Sequence, residues 1–89
     1  YEQVDHPVQV RVRQVLEEMG SSAIGADVCG IDGCSVPNWA MPAANLATAY
    51  ARFGTGKGLS GTRAAAAQRI MAAAQAEPIY LAGPNRLDT

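Results

Sequence analysis

The most constraining feature of this 89-residue chain is the kind of apolar residue that it contains. Hydrophobic residues make up 48% of the sequence, but 17 of them are alanine, which leaves only 26 larger apolar side chains. Alanine favours helix strongly and buries little area, and a chain of this size buries only about 60–65% of its unfolded surface. The sequence therefore predicts one small, mainly α-helical domain with a thin core.

The charge balance and the hydropathy of the chain exclude two broad classes. Seven basic and eight acidic residues give a formal net charge of −1, so no basic surplus exists with which to bind nucleic acid through bulk electrostatics. No apolar run approaches the roughly 18 residues of a membrane-spanning helix. The chain starts at Tyr1 without an initiator methionine or a signal-peptide pattern. We therefore expect an internal piece of a longer, cytoplasmic protein. The charge balance and the absence of a long apolar run predict that it has no nucleic-acid or membrane partner.

Three segments carry the start and stop signals of helices. The first helix is expected over Asp5–Gly20, the second over Pro42–Gly54, and the third from Ser60 to about Gln75, because capping side chains or prolines begin them and glycine or proline ends them. Apolar residues at helical spacing mark the faces that we expect to be buried: Val8, Val12, Val15, Leu16 and Met19 in the first helix, Leu46, Ala49, Tyr50 and Phe53 in the second, and Ala67, Ile70, Met71 and Ala74 in the third.

The connecting segments are short or rich in small residues. Ser21–Gly33 has too much glycine for a long helix, although Val28–Ile31 could form a short strand that its internal glycine weakens. Gly54–Gly58 is expected to be a turn between helices rather than a phosphate loop, since no strand precedes it. Ile79–Ala82 is expected to be a strand or a buried loop before a turn at Gly83–Asn85.

The segment Gly30–Pro42 holds the densest set of chemically capable side chains. An acid, a thiol, a hydroxyl, an amide and the only tryptophan lie within eight residues, at Asp32, Cys34, Ser35, Asn38 and Trp39. Glycines and prolines favour a rigid loop that presents these groups. The acid could orient a substrate amine or a metal ligand, and the thiol could bind a soft metal or act as a nucleophile. The alternative is a packed turn with an inert thiol.

The other candidate groups do not complete a site within this chain. Cys29 and Cys34 are too few for a disulfide framework, and their spacing allows a local bridge, a metal-ligand pair or two reduced thiols. With His6 they supply at most three metal ligands, whereas closed zinc sites use four. His6 is either a general base or, as we favour, a structural hydrogen-bonding residue. No serine is followed three residues later by lysine, so a Ser-x-x-Lys nucleophile and base pair is absent from the sequence.

Four ordered segments carry a resemblance over essentially the whole chain: His6–Gln9, Asp32–Pro37 with Ala40–Pro42 and Asn45–Ala47, Ala51–Phe53 with the glycine-rich turn, and Ala82–Gly83 through Arg86–Thr89. Together they resemble the bacterial asparaginase II family, the L-asparaginases that are unrelated to the classical two-domain bacterial enzymes. The sequence differs from the family pattern at Pro84-Asn85, where Thr-Gly is usual, and at Ala43, where leucine is common.

The resemblance implies a fold similar to that of serine β-lactamases and glutaminases, and the hydrolysis of L-asparagine to L-aspartate and ammonia. It also implies a serine nucleophile and its lysine N-terminal to this region, and a zinc ion held by a Cys-x-x-Lys segment and by the cysteine of an Asp-Gly-Cys motif. Carried onto this chain, Cys34 is the zinc ligand. Asp32 is a catalytic residue that also binds substrate together with Gly33, whereas Ser35, Pro37 and Asn38 are loop scaffolding.

We therefore interpret residues 1–89 as a single partial domain, the central helical segment of an asparaginase II-type enzyme. Its expected fold class is mainly α, with three helices, a glycine-rich loop and one short strand. The intact enzyme is expected to be a homodimer, and the isolated chain is expected to be inactive. Two alternatives stay open, which are a stand-alone helical interaction module and a redox or metal-binding module based on Cys29 and Cys34.

Overall fold

The computed structural model describes residues 1–87, so Asp88 and Thr89, which end the fourth resembling segment, lie outside the described residues. The described chain is mainly α-helical, as predicted. A single 3₁₀ turn at Ala26–Val28 precedes the first strand, and the remaining elements are, in order, α1 (Pro7–Gly20), β1 (Cys29–Ile31), β2 (Pro37–Trp39), α2 (Ala43–Thr55), α3 (Gly61–Ala76) and α4 (Ile79–Ala82).

The chain divides into two compact units, and the boundary between them lies inside α2. The first unit covers Tyr1–Tyr50 and contains α1 and both strands, and the second begins at Ala51 and contains α3 and α4. The interpretation of residues 1–89 as one partial domain stays a prediction.

Helix α1 begins at Pro7, two residues after the predicted start at Asp5, and His6 is its cap. Nδ1 of His6 accepts a hydrogen bond from the Val8 N–H at 3.1 Å, and the His6 backbone is extended, as is usual at this position. Pro7 follows as the first helical residue, where its missing N–H costs nothing. His6 therefore has the structural hydrogen-bonding role that the sequence analysis favoured over a general base.

The end of α1 is held against the start of α2. Gly20 is the last residue of α1, as predicted, and it is buried. The Met41 Sδ atom lies 2.8 Å from the position that a Cβ on Gly20 would occupy, so the glycine permits this close approach. Nδ2 of Asn45 donates a hydrogen bond to the Gly20 carbonyl at 2.8 Å, which fixes one of the unpaired carbonyls at the end of the helix.

The second and third helices also match their predicted segments. α2 extends one residue beyond the predicted stop at Gly54. Ser60 caps α3, since its Oγ accepts a hydrogen bond from the Arg63 N–H at 3.3 Å. The turn between the helices needs glycine at two places, because Gly56 and Gly58 have φ of +75° and +79°.

The prediction of a strand or buried loop at Ile79–Ala82 is wrong, because these residues form the short helix α4. Pro78 supplies the fixed φ that starts a helical turn, and its carbonyl accepts hydrogen bonds from the N–H groups of Leu81 and Ala82. The segment is also exposed rather than buried, and Tyr80 is 86% accessible.

The core is thin, as the alanine content indicates. Ile24 and Ala67 are the buried hydrophobic residues among residues 1–87. Five residues on the helix faces that we expected to be buried are exposed instead, so the prediction of burial is wrong for Val8, Val12, Leu46, Tyr50 and Ile70. Helical spacing identifies which face of a helix is apolar, but it does not supply a neighbouring surface to cover that face. Within residues 1–87, no helix is both long and apolar enough to span a bilayer.

Candidate functional site

The residues of the dense segment lie on a β-hairpin. β1 and β2 are antiparallel, with Cys29 opposite Trp39, Gly30 opposite Asn38, and Ile31 opposite Pro37. Backbone hydrogen bonds of 2.9 Å extend the ladder beyond both ends of these strands, from the Asp32 N–H to the Val36 carbonyl and from the Ala40 N–H to the Val28 carbonyl. The predicted strand at Val28–Ile31 is therefore essentially confirmed.

Strand β2 is the element that the sequence analysis missed, because it interpreted Pro37–Trp39 as loop. The strand has only three residues and begins with a proline, which lacks a donor for a strand ladder. Proline is tolerated as the first residue of an edge strand, which is its place here. Pro37-Asn38-Trp39 alternates apolar, polar and apolar residues, but three residues are too few for this pattern to identify a strand.

The tip of the hairpin is a tight turn from Asp32 to Ser35. The Ser35 N–H donates a hydrogen bond to the Asp32 carbonyl at 2.9 Å, and Ser35 has a left-handed backbone with φ of +69°. A last loop residue in this conformation is typical of three-residue hairpin loops. The turn places Cys34 at the tip, where the residue is exposed.

Asp32 starts the turn, and its carboxylate is oriented by the neighbouring backbone. Oδ1 of Asp32 accepts a hydrogen bond from the Gly33 N–H at 2.6 Å, a short distance typical of a charged acceptor. The Asp32 side chain remains exposed. Gly33 lies in open space, because no atom comes within 4 Å of the position of an added Cβ. The acid is therefore presented at an open surface with one oxygen held.

One face of the hairpin forms a shallow depression of about 410 Å³. Alternate residues of a strand share a face, so Gly30 and Asp32 on one strand lie on the same side as Asn38 on the other. All three line the depression, as does Gly33, whereas Cys34 does not. The structure thus brings the predicted substrate-binding residues Asp32 and Gly33 to one surface, and it adds Asn38, which the sequence analysis had interpreted as scaffolding.

The hairpin contacts helix α1 through its tryptophan. The Arg13 guanidinium on α1 lies over the Trp39 ring, with Cζ 5.6 Å from the ring centroid, within the range of a cation–π contact. Nε of Arg13 and Nε1 of Trp39 are buried and have no hydrogen-bond partner among the described residues. Pro37 is buried on the same face of β2 as Trp39. Trp39 also borders the depression, so this contact lies next to the surface that carries Asp32.

A larger cleft of about 670 Å³ belongs to the second unit. It is lined by residues from the end of α2, the glycine-rich turn and α3, including Phe53, Lys57 and Gln68. None of the site residues predicted from the sequence lines this cleft. The hairpin depression is therefore the surface on which the predicted substrate-binding residues Asp32 and Gly33 lie.

A comparison with protein-family models identifies the chain. The model described as L-asparaginase II matches residues 1–89. The chain belongs to the L-asparaginase II family. This confirms the resemblance drawn from the four ordered segments, and it makes the chain asparaginase-related. A search of the curated proteins finds no match.

The zinc site expected for an L-asparaginase II protein is not complete within the described residues. Cys29 and Cys34 are both free thiols, and the Cys29 Sγ lies 3.4 Å from the Gly30 carbonyl oxygen. Between residues 1 and 87, no three histidine, cysteine, aspartate or glutamate side chains lie close enough together to hold a metal ion. The donor set of this part of the chain alone does not fit zinc, which takes four ligands in structural sites and three in catalytic ones.

Proposed function

We propose that this chain is part of an L-asparaginase that hydrolyses L-asparagine to L-aspartate and ammonia. The observation that carries this proposal is the match of the L-asparaginase II family model to residues 1–89. The open hairpin depression supports it, because an acid and two glycines line one surface there. As the resemblance implies, we also propose a serine β-lactamase-like fold and a cytoplasmic homodimer for the intact enzyme.

In this proposal, Asp32 binds the α-ammonium group of the substrate. A carboxylate pairs with an ammonium group through charge-assisted hydrogen bonds, and Asp32 Oδ2 has no hydrogen-bond partner among residues 1–87, since Gly33 occupies only Oδ1. Gly33 and Gly30 leave the space beside the carboxylate open, so a small amino acid can approach it. The chain thereby orients the substrate relative to the reacting groups.

The reacting groups themselves are proposed to come from residues outside this chain. Amide hydrolysis needs an activated nucleophile and donors that stabilise the developing oxyanion. The 89 residues contain no Ser-x-x-Lys pair. We therefore propose that the serine and its lysine base are supplied by another part of the enzyme and that this chain contributes to substrate binding.

Cys34 is proposed to be a zinc ligand whose companions lie outside the described residues. Thiolate is a strong zinc donor, and the position of Cys34 at the exposed tip of a rigid turn leaves its sulfur accessible to other segments. When bound, zinc can polarise an oxygen or hold the site together. No step of the proposed reaction depends on it.

The proposal is tested by ammonia release from L-asparagine, with L-glutamine as the second substrate, using the enzyme that carries this chain. We expect Asp32→Asn to raise KM at least about tenfold, since it removes a hydrogen bond to a charged group. Asp27→Asn, at another exposed acid before the hairpin, is the matched control and should leave KM unchanged.

Two results would count against the proposal. Absence of ammonia release by the unmodified enzyme would overturn the asparaginase function. An unchanged KM in Asp32→Asn would remove Asp32 from substrate binding.

A further inference from the structure

The hairpin face that carries Asp32 also carries Asn38. The strand register places Asn38 opposite Gly30, and Asp32 follows Gly30 by two residues, so the acid and the amide are diagonal neighbours on one face. Nothing lies within 4 Å of the position that a Cβ on Gly30 would take. Asp32 and Asn38 therefore border the same depression, and Gly30 adds no side chain beside them.

The Asn38 carboxamide is not used by the fold of the described chain. Its side chain is exposed and makes no hydrogen bond to any other residue between 1 and 87. Asn45 gives the contrast, because its amide donates to the Gly20 carbonyl at 2.8 Å and joins two helices. Asn38 thus keeps both N–H donors of its carboxamide available to a ligand.

We propose that Asn38 binds the α-carboxylate of the amino-acid substrate through its Nδ2–H, while Asp32 pairs with the α-ammonium group. This inference deepens the proposed asparaginase function and rests on it. The two charged groups of an amino acid are attached to one carbon, so they need an acceptor and a donor side by side. The Cα atoms of diagonal cross-strand neighbours lie about 7–8 Å apart. The α-ammonium and α-carboxylate groups of one amino acid can span the space between two such side chains, with a hydrogen bond to each.

The chemistry explains why an amide rather than a second acid fits this position. A second carboxylate would repel the α-carboxylate, whereas a neutral N–H donor attracts it without cancelling the charge of Asp32. The bond is made equally with the bound substrate and in the transition state, since the α-carboxylate does not react. Loss of the bond should therefore change KM and leave kcat nearly unchanged.

The test compares two ligands that differ only in the α-carboxylate, using the enzyme that carries this chain. L-Asparagine is the substrate, and 3-aminopropanamide, which lacks that carboxylate, is measured as a competitive inhibitor. Asn38→Ala should raise KM for L-asparagine about tenfold and leave the inhibition constant of 3-aminopropanamide within about twofold. Gln14→Ala, at an exposed amide on α1, is the control and should change neither value.

A variant that adds a negative charge makes the test independent of any loss of folding in Asn38→Ala. Asn38→Asp should raise KM for L-asparagine more than alanine does, because it brings two carboxylates together. The same variant should lower the inhibition constant of 3-aminopropanamide, which is a cation. Opposite shifts for the two ligands cannot come from a general loss of structure.

Calorimetric binding of L-aspartate, the expected product, separates this inference from the proposed function. If the unmodified protein binds L-aspartate and Asn38→Ala weakens this binding about tenfold but no ammonia is released, the asparaginase function is wrong and only the role of Asn38 in binding an α-carboxylate is retained. The inference is overturned when ammonia is released but Asn38→Ala leaves the KM for L-asparagine unchanged. Failure of the unmodified protein to bind L-aspartate overturns it as well.

Discussion

At the scale of single residues, the turn that presents Asp32 and Cys34 depends on an unfavourable backbone at Ser35. Its φ of +69° lies in the left-handed region, which costs an L-residue roughly 1–2 kcal/mol and costs glycine little. Ser35→Gly should therefore raise the free energy of unfolding by about 0.5–1 kcal/mol, after the added flexibility of the unfolded chain is subtracted.

Urea unfolding curves of the chain check this prediction. Ser35→Val is the opposing variant and should destabilise, because β-branched residues rarely adopt a positive φ. Gly33→Ala, in the same turn but without a positive φ, should change stability little. Equal midpoints for the glycine and valine variants would show that the turn conformation differs from the one described.

The thiol at the tip gives a second prediction at this scale. Cys34 is exposed whereas Cys29 is half-buried within the hairpin, so Cys34 is the more accessible of the two to ligands on another segment. In the enzyme that carries this chain, Cys34→Ala should lower the zinc content measured by elemental analysis, and Cys29→Ala should leave it unchanged. Equal zinc content in the unmodified protein and Cys34→Ala would refute the ligand role.

At the scale of elements, the hairpin contacts α1 through Trp39. The Arg13 guanidinium lies over the Trp39 ring, and a partly buried cation–π contact contributes roughly 1 kcal/mol. Arg13→Ala should lower stability by about that amount and shift the fluorescence of Trp39, which is the only tryptophan of the sequence. Arg11→Ala, at an exposed arginine of the same helix, is the matched control, and an equal fluorescence change in both variants would exclude the contact.

At the scale of the whole molecule, the sequence predicts local signals better than long-range packing. Capping and stop residues act on the backbone next to them, so Gly20 predicts the end of α1 and Ser60 predicts the start of α3. The exposure of Leu46 and Tyr50 depends on what packs over α2, which helical spacing does not contain. Likewise, Asp32 and Cys34 were found as a motif, but the pairing of Asn38 with Gly30 required the strand register.

The isolated chain is expected to release no ammonia from L-asparagine, because it holds part of a substrate-binding surface but no Ser-x-x-Lys pair. A side chain that only orients the substrate cannot attack an amide carbonyl, and uncatalysed amide hydrolysis is too slow to register. The purified 89-residue chain should therefore match a buffer blank in an ammonia assay, whereas the enzyme that carries it should not. Release above the blank with the same KM in Asp32→Asn would point to a contaminating activity. Release whose KM rises in Asp32→Asn would place the reacting groups within these 89 residues and contradict the proposed division of the site.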